Sequence, residues 1–298
     1  MERRGRGPGA GRRTGLAHPG IGARPPEPRA RLLGPHRGEV DCVAPGGSAV
    51  RGITAVFRRE WSAAVTSPVA WVATVLAVLG LHAAFFFLGF PVGDRALPSF
   101  WVGRTASLDA LFAWIPVFFA VLAPALTMAS WAEERRAGTD EILLTLPVKT
   151  RALVAGKWLA AWVLLGAITT VAVLPVAFAV DSVGPLDWGT VWGGLIGAWM
   201  FAAAAVALGL AASALAREEL VAFLLSAALL FGLWSAGLFV RVLPGHLAEV
   251  AWYASPSLHF LDSGARGVID ARDACYFLLF VLAGLSVNAA VVEGRRYG

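Results

Sequence analysis

The residues best equipped for chemistry lie between Trp131 and Trp158, in WAEERRAGTDEILLTLPVKTRALVAGKW. Glu133, Glu134, Arg135 and Arg136 place two carboxylates and two guanidinium groups in a row, directly after a long apolar run. Such groups form ion pairs and charge-assisted hydrogen bonds, so the chemistry on offer is recognition. Gly138 suits a helix end, where glycine tolerates the left-handed conformation. Thr139 can cap a following helix, with Asp140 and Glu141 favourable in its first turn. Ile142, Leu143, Leu144 and Leu146 make an apolar patch of one or two turns, and Pro147 stops it. Thr150 can cap the next helix, which runs through Lys157 into further apolar sequence. A helix as short as 140–146 does not hold alone in water, so its leucines must grip something. Two surfaces would serve: the bilayer with its neighbouring spans, or a groove on a separate cytosolic protein.

Catalytic chemistry is not indicated. The sequence holds no HExxH, GxSxG or GxxxxGK[ST] motif. Lys157 in AGKW lacks the glycine loop of a phosphate-binding lysine, so any nucleotide energy has to come from another chain. Cys42 and Cys275 have no CxxC partner, which leaves metal and redox motifs without support. An ion-coupled carrier needs ionisable groups in its membrane core. The candidates are His82, in the outer half of the first span, and Asn288, near the inner end of the last. No catalytic, cofactor-binding or metal-binding residue is assigned on this chain.

These residues need a frame, and composition says what kind. The 298 residues are 57% hydrophobic and 15% charged, with a mean hydropathy of +0.67. That is too much apolar surface for a water-soluble domain of this length to bury. The net charge of +5 resides in residues 1–50, where nine arginines face four acids; residues 51–298 hold 16 of each sign. The Gly-, Pro- and Arg-rich segment 1–50 reads as a disordered basic tail, either an over-called start or an arm near anionic headgroups. The body 51–298 reads as one membrane domain. No basic face interleaved with aromatics marks it for nucleic acid.

The periodicity predicts an amphipathic helix over 52–67. Ile53, Val56, Phe57, Trp61, Ala64 and Val65 form its apolar stripe, with Arg58, Arg59 and Ser62 opposite. Such a helix lies in the headgroup plane, with Phe57, Arg58, Arg59 and Trp61 as its interfacial residues. Six spans follow, at 69–90, 110–131, 158–180, 191–215, 220–243 and 273–292, each near the length a bilayer core requires. Pro68 fits the first turn of span 1. Asp270 and Asp273 resemble a capping box for span 6. Trp71, Trp131, Trp158, Trp188, Trp192 and Trp234 fit an interfacial belt. Gly193, Gly197 and Gly209 mark a helix-packing seam, within the chain or between two copies. With the N-terminus inside, eleven basic residues of 51–298 lie on the cytosolic side against five outside. Both termini and the polar insert then face the cytosol. The connection 244–272 holds a short helix that dips back toward the membrane.

The insert resembles the coupling region of ABC-2-type transporter permeases. The likeness rests on APALTMASWAEERRAGTDEILLTLPVKTRALVAGKWLAAW and continues in DWGTVWGG, ALGLAASALAREELVAF and HFLDSGARGVIDARDACYFLLF. It spans about residues 52–292 and is nearest to the branch that serves gliding motility and nitrous-oxide-reductase maturation. It implies an all-α polytopic protein of six transmembrane helices, with an N-terminal interfacial helix and a cytosolic coupling helix between spans 2 and 3. It implies a non-enzymatic subunit of the cell membrane. Its partners would be a separate ATP-binding subunit and a second permease, identical or related, with membrane lipid around the pair. ATP would be bound by the partner and would drive export, or a motility or assembly machine anchored by this chain. By position, Glu133, Glu134, Arg135, Arg136, Gly138, Thr139, Glu141 and Pro147 would form the ATPase contact.

Overall fold

The computed structural model describes residues 45–91, 96–139, 149–240 and 242–296. Most of the expected tail therefore lies outside the described residues, as do Glu141, Pro147 and the rest of the expected coupling helix. Six helical segments are long and apolar enough to cross a membrane: Pro68–Leu88, Asp109–Arg136, Thr150–Asp181, Trp188–Leu215, Glu219–Phe239 and Ala271–Arg295. Among the described residues there is no strand, only an isolated bridge between Phe90 and Leu97. The protein is an all-α polytopic membrane protein.

Helix α1 spans Pro45–Thr66, so it starts inside the segment that composition marked as tail. An elbow then leads into α2, Pro68–Ala83. Ser67 Oγ accepts the Ala70 N–H at 3.4 Å, Pro68 occupies the first turn, and the Trp71 indole N–H donates to the Val65 carbonyl at 2.7 Å. The span ends in a π turn, Ala84–Leu88. Gly89 ends the π turn with a φ of 64° that suits glycine, and a short α3, Phe100–Gly103, follows. Span 2 comprises α4, Asp109–Thr127, and α5, Ala129–Arg136. Two prolines, Pro116 and Pro124, lie within α4. Each removes one backbone donor, and the helix is interrupted at Met128 shortly after the second. Then come α6, Thr150–Asp181, α7, Trp188–Leu215, and α8, Glu219–Phe239. Two short helices, α9 at Gly245–Ala254 and α10 at Pro256–Asp262, and a 3-10 turn at Gly264–Arg266 lead into α11, Ala271–Arg296.

The most buried span is α7, and α2 and α8 are the least buried. Lipid tails are as apolar as leucine, so spans gain little by hiding apolar side chains from each other. They associate where small residues allow close contact, and α7 is rich in them. Its Gly194 lies against the Phe112 ring of α4, and its Ala207 lies against Gly284 of α11. Gly209 faces Thr127 and Ser226. The GxxxG pair is covered differently. A Cβ on Gly193 would stand 2.1 Å from the Gly267 carbonyl oxygen, and one on Gly197 would stand 2.8 Å from Gly264 Cα. The 3-10 turn is thus seated on the first half of α7. Phe260 is buried beside it and stacks on Phe201 at 5.7 Å.

Several expectations are corrected here. Trp131 is buried in the core and takes no part in an interfacial belt; Trp158 is partly buried, stacks on Trp162 at 5.0 Å and donates to the Ala203 carbonyl. Asp270 does accept the Arg272 N–H, but Asp273 does not complete a capping box. It accepts instead from His259 Nδ1 at 2.9 Å, fastening α10 to α11, while the imidazole stacks on Tyr276. Lys149 holds the cap position of α6, and Thr150 is its first residue. The α7 cap is Asp187, whose carboxylate accepts from Thr190 Oγ1 and the Gly189 N–H; those bonds, Thr190 foremost, hold its pKa below the usual aspartate range. His82 Nε2–H donates to the Ala172 carbonyl at 2.8 Å and so serves packing.

The contact at Gly193 is with backbone, which cannot swing aside. Gly193→Ala is expected to lift the 264–267 turn off α7, costing roughly 1–3 kcal/mol as other overpacked sites do. Thermal unfolding in detergent and proteolysis at 263–270 measure it; unchanged melting and unchanged cleavage would refute the docked turn.

Candidate functional site at the charged end of the bundle

Lysine does not belong inside a lipid-embedded bundle unless all three of its N–H donors are used. Lys157 is 2% exposed and meets that demand. Its Nζ donates to Glu60 Oε1 at 2.9 Å, to Glu134 Oε1 at 3.0 Å and to the Ser130 carbonyl at 2.7 Å. It also sits 4.9 Å from the Trp131 ring centroid, where the π face adds attraction. Arg59 approaches Glu134 Oε1 at 3.3 Å from the outside. Two carboxylates and two cations thus close on one another, joining α1, α5 and α6.

Local sequence explains the geometry. Gly156 precedes Lys157, and a Cβ there would come within 2.7 Å of Val56 Cβ. Glycine lets α1 cross α6 this closely. Glu60 lies four residues after Val56, hence on the same face of α1, and arrives over Lys157. The expected apolar stripe of α1 therefore rests on α6. Of its interfacial residues, Phe57 and Trp61 are half-buried and stacked at 5.9 Å, while Arg58 and Arg59 are exposed.

The rest of the four-charge run is divided. Arg135 Nη1 reaches the Ala214 and Ala216 carbonyls at the end of α7, and Arg295 donates to Ala214 as well. Helix C-terminal carbonyls lack partners, and cations there meet the negative end of the dipole. Ser213 Oγ donates to the Met128 carbonyl at 3.0 Å and accepts the Trp131 N–H at 3.2 Å, bridging the α4–α5 interruption to α7. Arg136 pairs with Glu219 at the start of α8, 3.5 Å away. Glu133 is exposed and makes no ion pair among the described residues. Gly138 adopts φ 67° and ends α5, and the Thr139 N–H and hydroxyl both donate to the Glu134 carbonyl.

The eight insert residues thus fall into three groups. Glu134 and Arg135 are turned into the protein. Glu133, Arg136, Gly138 and Thr139 edge the surface. Glu141 and Pro147 lie outside the described residues. Sequence reasoning missed Glu60 and Lys157. The available signal was an acid in the middle of the apolar stripe of α1, between Phe57 and Ala64. Among the described residues no cluster of three His, Cys, Asp or Glu side chains could hold a metal ion. The arrangement can clamp three helices and carry force between them.

Removing one partner of a buried pair strands the other. Lys157→Met is expected to cost roughly 3–5 kcal/mol, since Glu134 and Glu60 would then face each other with only the exposed Arg59 beside them. The double variant Lys157→Met/Glu134→Leu should recover much of that, because Glu60 can turn to water. Melting temperatures of the three proteins in one detergent decide it, and a tolerated single variant would disprove the clamp.

The same residues lie within a stretch that matches a known family. The family described as ABC-2 family transporter protein matches residues 54–262, from the middle of α1 through α10. No curated protein matches the chain. The match takes in the second half of α1, the four-charge run and Lys157, stops just short of the docked turn, and covers well over half of the sequence. The chain belongs to the ABC-2 transporter family and is its membrane-spanning component.

Proposed function

We propose that the chain is the permease subunit of an ATP-driven exporter and that a separate ATP-binding subunit docks at the charged end of the bundle. The observation that carries this reading is the Lys157 clamp. A load applied to the surface edge at Glu133, Arg136 and Thr139 is shared by α1, α5 and α6, because one ammonium holds all three. The exposed edge leads directly into residues 140–148, whose Ile142, Leu143, Leu144 and Leu146 are the grip expected of a coupling helix. Glu134 and Arg135 then act by positioning that edge, and the docking contact falls to Glu133, Arg136, Gly138, Thr139, Glu141 and Pro147.

The site supplies a grip and no motor, so ATP belongs to the partner. Two copies of the chain, or one with a related permease, would make the working pair in the cell membrane, both termini cytosolic. The run EERRAGTDEILLTLPV inclines the reading toward the gliding-motility and nitrous-oxide-reductase-maturation branch.

Extraction from the native host in mild detergent, followed by mass spectrometry of what co-purifies, is the direct test. A P-loop ATPase in stoichiometric amount is the expected result. The exposed charge reversals Glu133→Lys and Arg136→Glu, made together, should reduce that ATPase at least about ten-fold, a loss of roughly 1.4 kcal/mol or more. The permease should still reach the membrane in normal amount. Failure to recover any ATPase with the wild-type chain would sink the reading.

A further inference from the structure

Beside the Lys157 clamp lies a cavity of about 520 Å³, within the usual range for ligand sites. Its inner wall is apolar and built of small side chains: Ala64 and Ala70 at the α1–α2 elbow, Ala125 and Ala129 on span 2, Ala160 and Leu164 on α6. Its outer rim is charged. Among the described residues it is lined by Arg59, Arg136 and Lys157 and by Glu60, Glu133, Glu134 and Glu219, three cations against four carboxylates. The cavity runs along the last three turns of span 2, from Ala125 to Arg136, and meets the first turn of span 1 at Val69 and Ala70, so it reaches from headgroup depth into the acyl layer.

Two observations say what would fill it. The first is charge. A rim with one excess carboxylate does not favour an anionic headgroup, and it matches a group that carries both signs. The second is an unmet acceptor. Glu134 is more than nine-tenths buried and lines the cavity, yet among the described residues its Oε2 has no hydrogen-bond partner. A buried carboxylate oxygen calls for a donor. Glu133, exposed on the same rim, offers a second acceptor. Arg59 and Arg136 each spend only part of their five donors on Glu134 and Glu219, and their side chains are 59% and 71% exposed. Those free donors suit a phosphate.

We propose that this cavity binds a zwitterionic aminophospholipid from the leaflet on the side of the termini. Its primary ammonium lies on Glu133 and Glu134, its phosphate on Arg59 and Arg136, and the first methylenes of its chains on the alanine wall. The inference requires a membrane protein and does not rest on an ATP-binding partner. A bound headgroup would bridge α1 to α5 from outside the clamp.

The test follows the melting temperature of delipidated, purified protein as lipid is added in mixed micelles. Three dioleoyl lipids are compared: phosphatidylethanolamine, phosphatidylcholine and phosphatidylglycerol. The choline lipid keeps the charges but has no N–H donor, and the glycerol lipid is anionic. The ethanolamine lipid should stabilise at the lowest concentration, with the other two roughly ten-fold weaker. Ala64→Phe fills the cavity without touching the charges. It should keep the lipid-free melting temperature and abolish the preference, and Glu133→Gln should weaken it. Glycerophosphoethanolamine, the headgroup without chains, should give little shift. Equal response to the three lipids, a preference for the glycerol lipid, an unaffected Ala64→Phe variant, or a full shift from the soluble headgroup would each overturn the proposal.

Discussion

An ammonium group withdrawn from water at the edge of a bilayer dictates much of what surrounds it. Its desolvation is worth several kcal/mol even after relaxation, so its partners must be fixed before it can be buried. Lys157 takes one from α1, Glu60, and two from α5, Glu134 and the Ser130 carbonyl. That demand sets how α1 crosses α6 and how far span 2 extends past its apolar part. It also accounts for Gly156, since any larger residue there would hold Glu60 out of reach. The amphipathic helix therefore serves as more than a float in the headgroup plane; it is a wall of the bundle.

The two ends of the bundle are held by different physics. At the end with the termini, charges do the fastening: Lys157 on α6, Arg135 and Arg295 on the last carbonyls of α7, Arg136 on Glu219. Headgroups and water at that depth make charged side chains affordable. At the other end, shape dominates. Phe85, Phe86, Phe100 and Trp101 cluster around the π turn, and the 3-10 turn presses backbone to backbone on Gly193 and Gly197. Between them α7 relies on alanine and glycine, because close contact is what distinguishes a neighbouring helix from lipid.

What could be read from the sequence was local. Span positions follow from runs of apolar residues, the elbow from Pro68, the end of α5 from Gly138; none requires knowing a distant neighbour. The misreadings involve residues whose partners are far along the chain. Asp273 looked like a cap because caps are local, but its partner His259 comes 14 residues earlier from another helix. Trp131 looked interfacial because tryptophans at span ends usually are, but Lys157 lies over its ring. Pro45 begins a helix within a stretch whose glycines and proline suggested disorder, because the helix continues into a stripe that packs on α6. The Glu60–Lys157–Glu134 cluster joins residues up to 97 positions apart, which no window on the sequence contains.

The four-charge run was nonetheless more legible than its bulk polarity suggests. Successive helical residues advance by about 100°, so residues three apart lie within about 60° of each other. Glu133 and Arg136 therefore share one face of α5, and Glu134 and Arg135 the opposite one. The structure uses the run in that way: the inner pair reaches α6 and α7, the outer pair edges the surface. A uniformly solvated run would need no such order of signs. Facing inward, an acid is required opposite Lys157 and a base is required under the α7 carbonyls. Exchanging Glu134 and Arg135 would put like charge against both, although composition and net charge would be unchanged. The polar insert between two apolar spans is thus half interior, and its sequence of charges follows the helices it must meet.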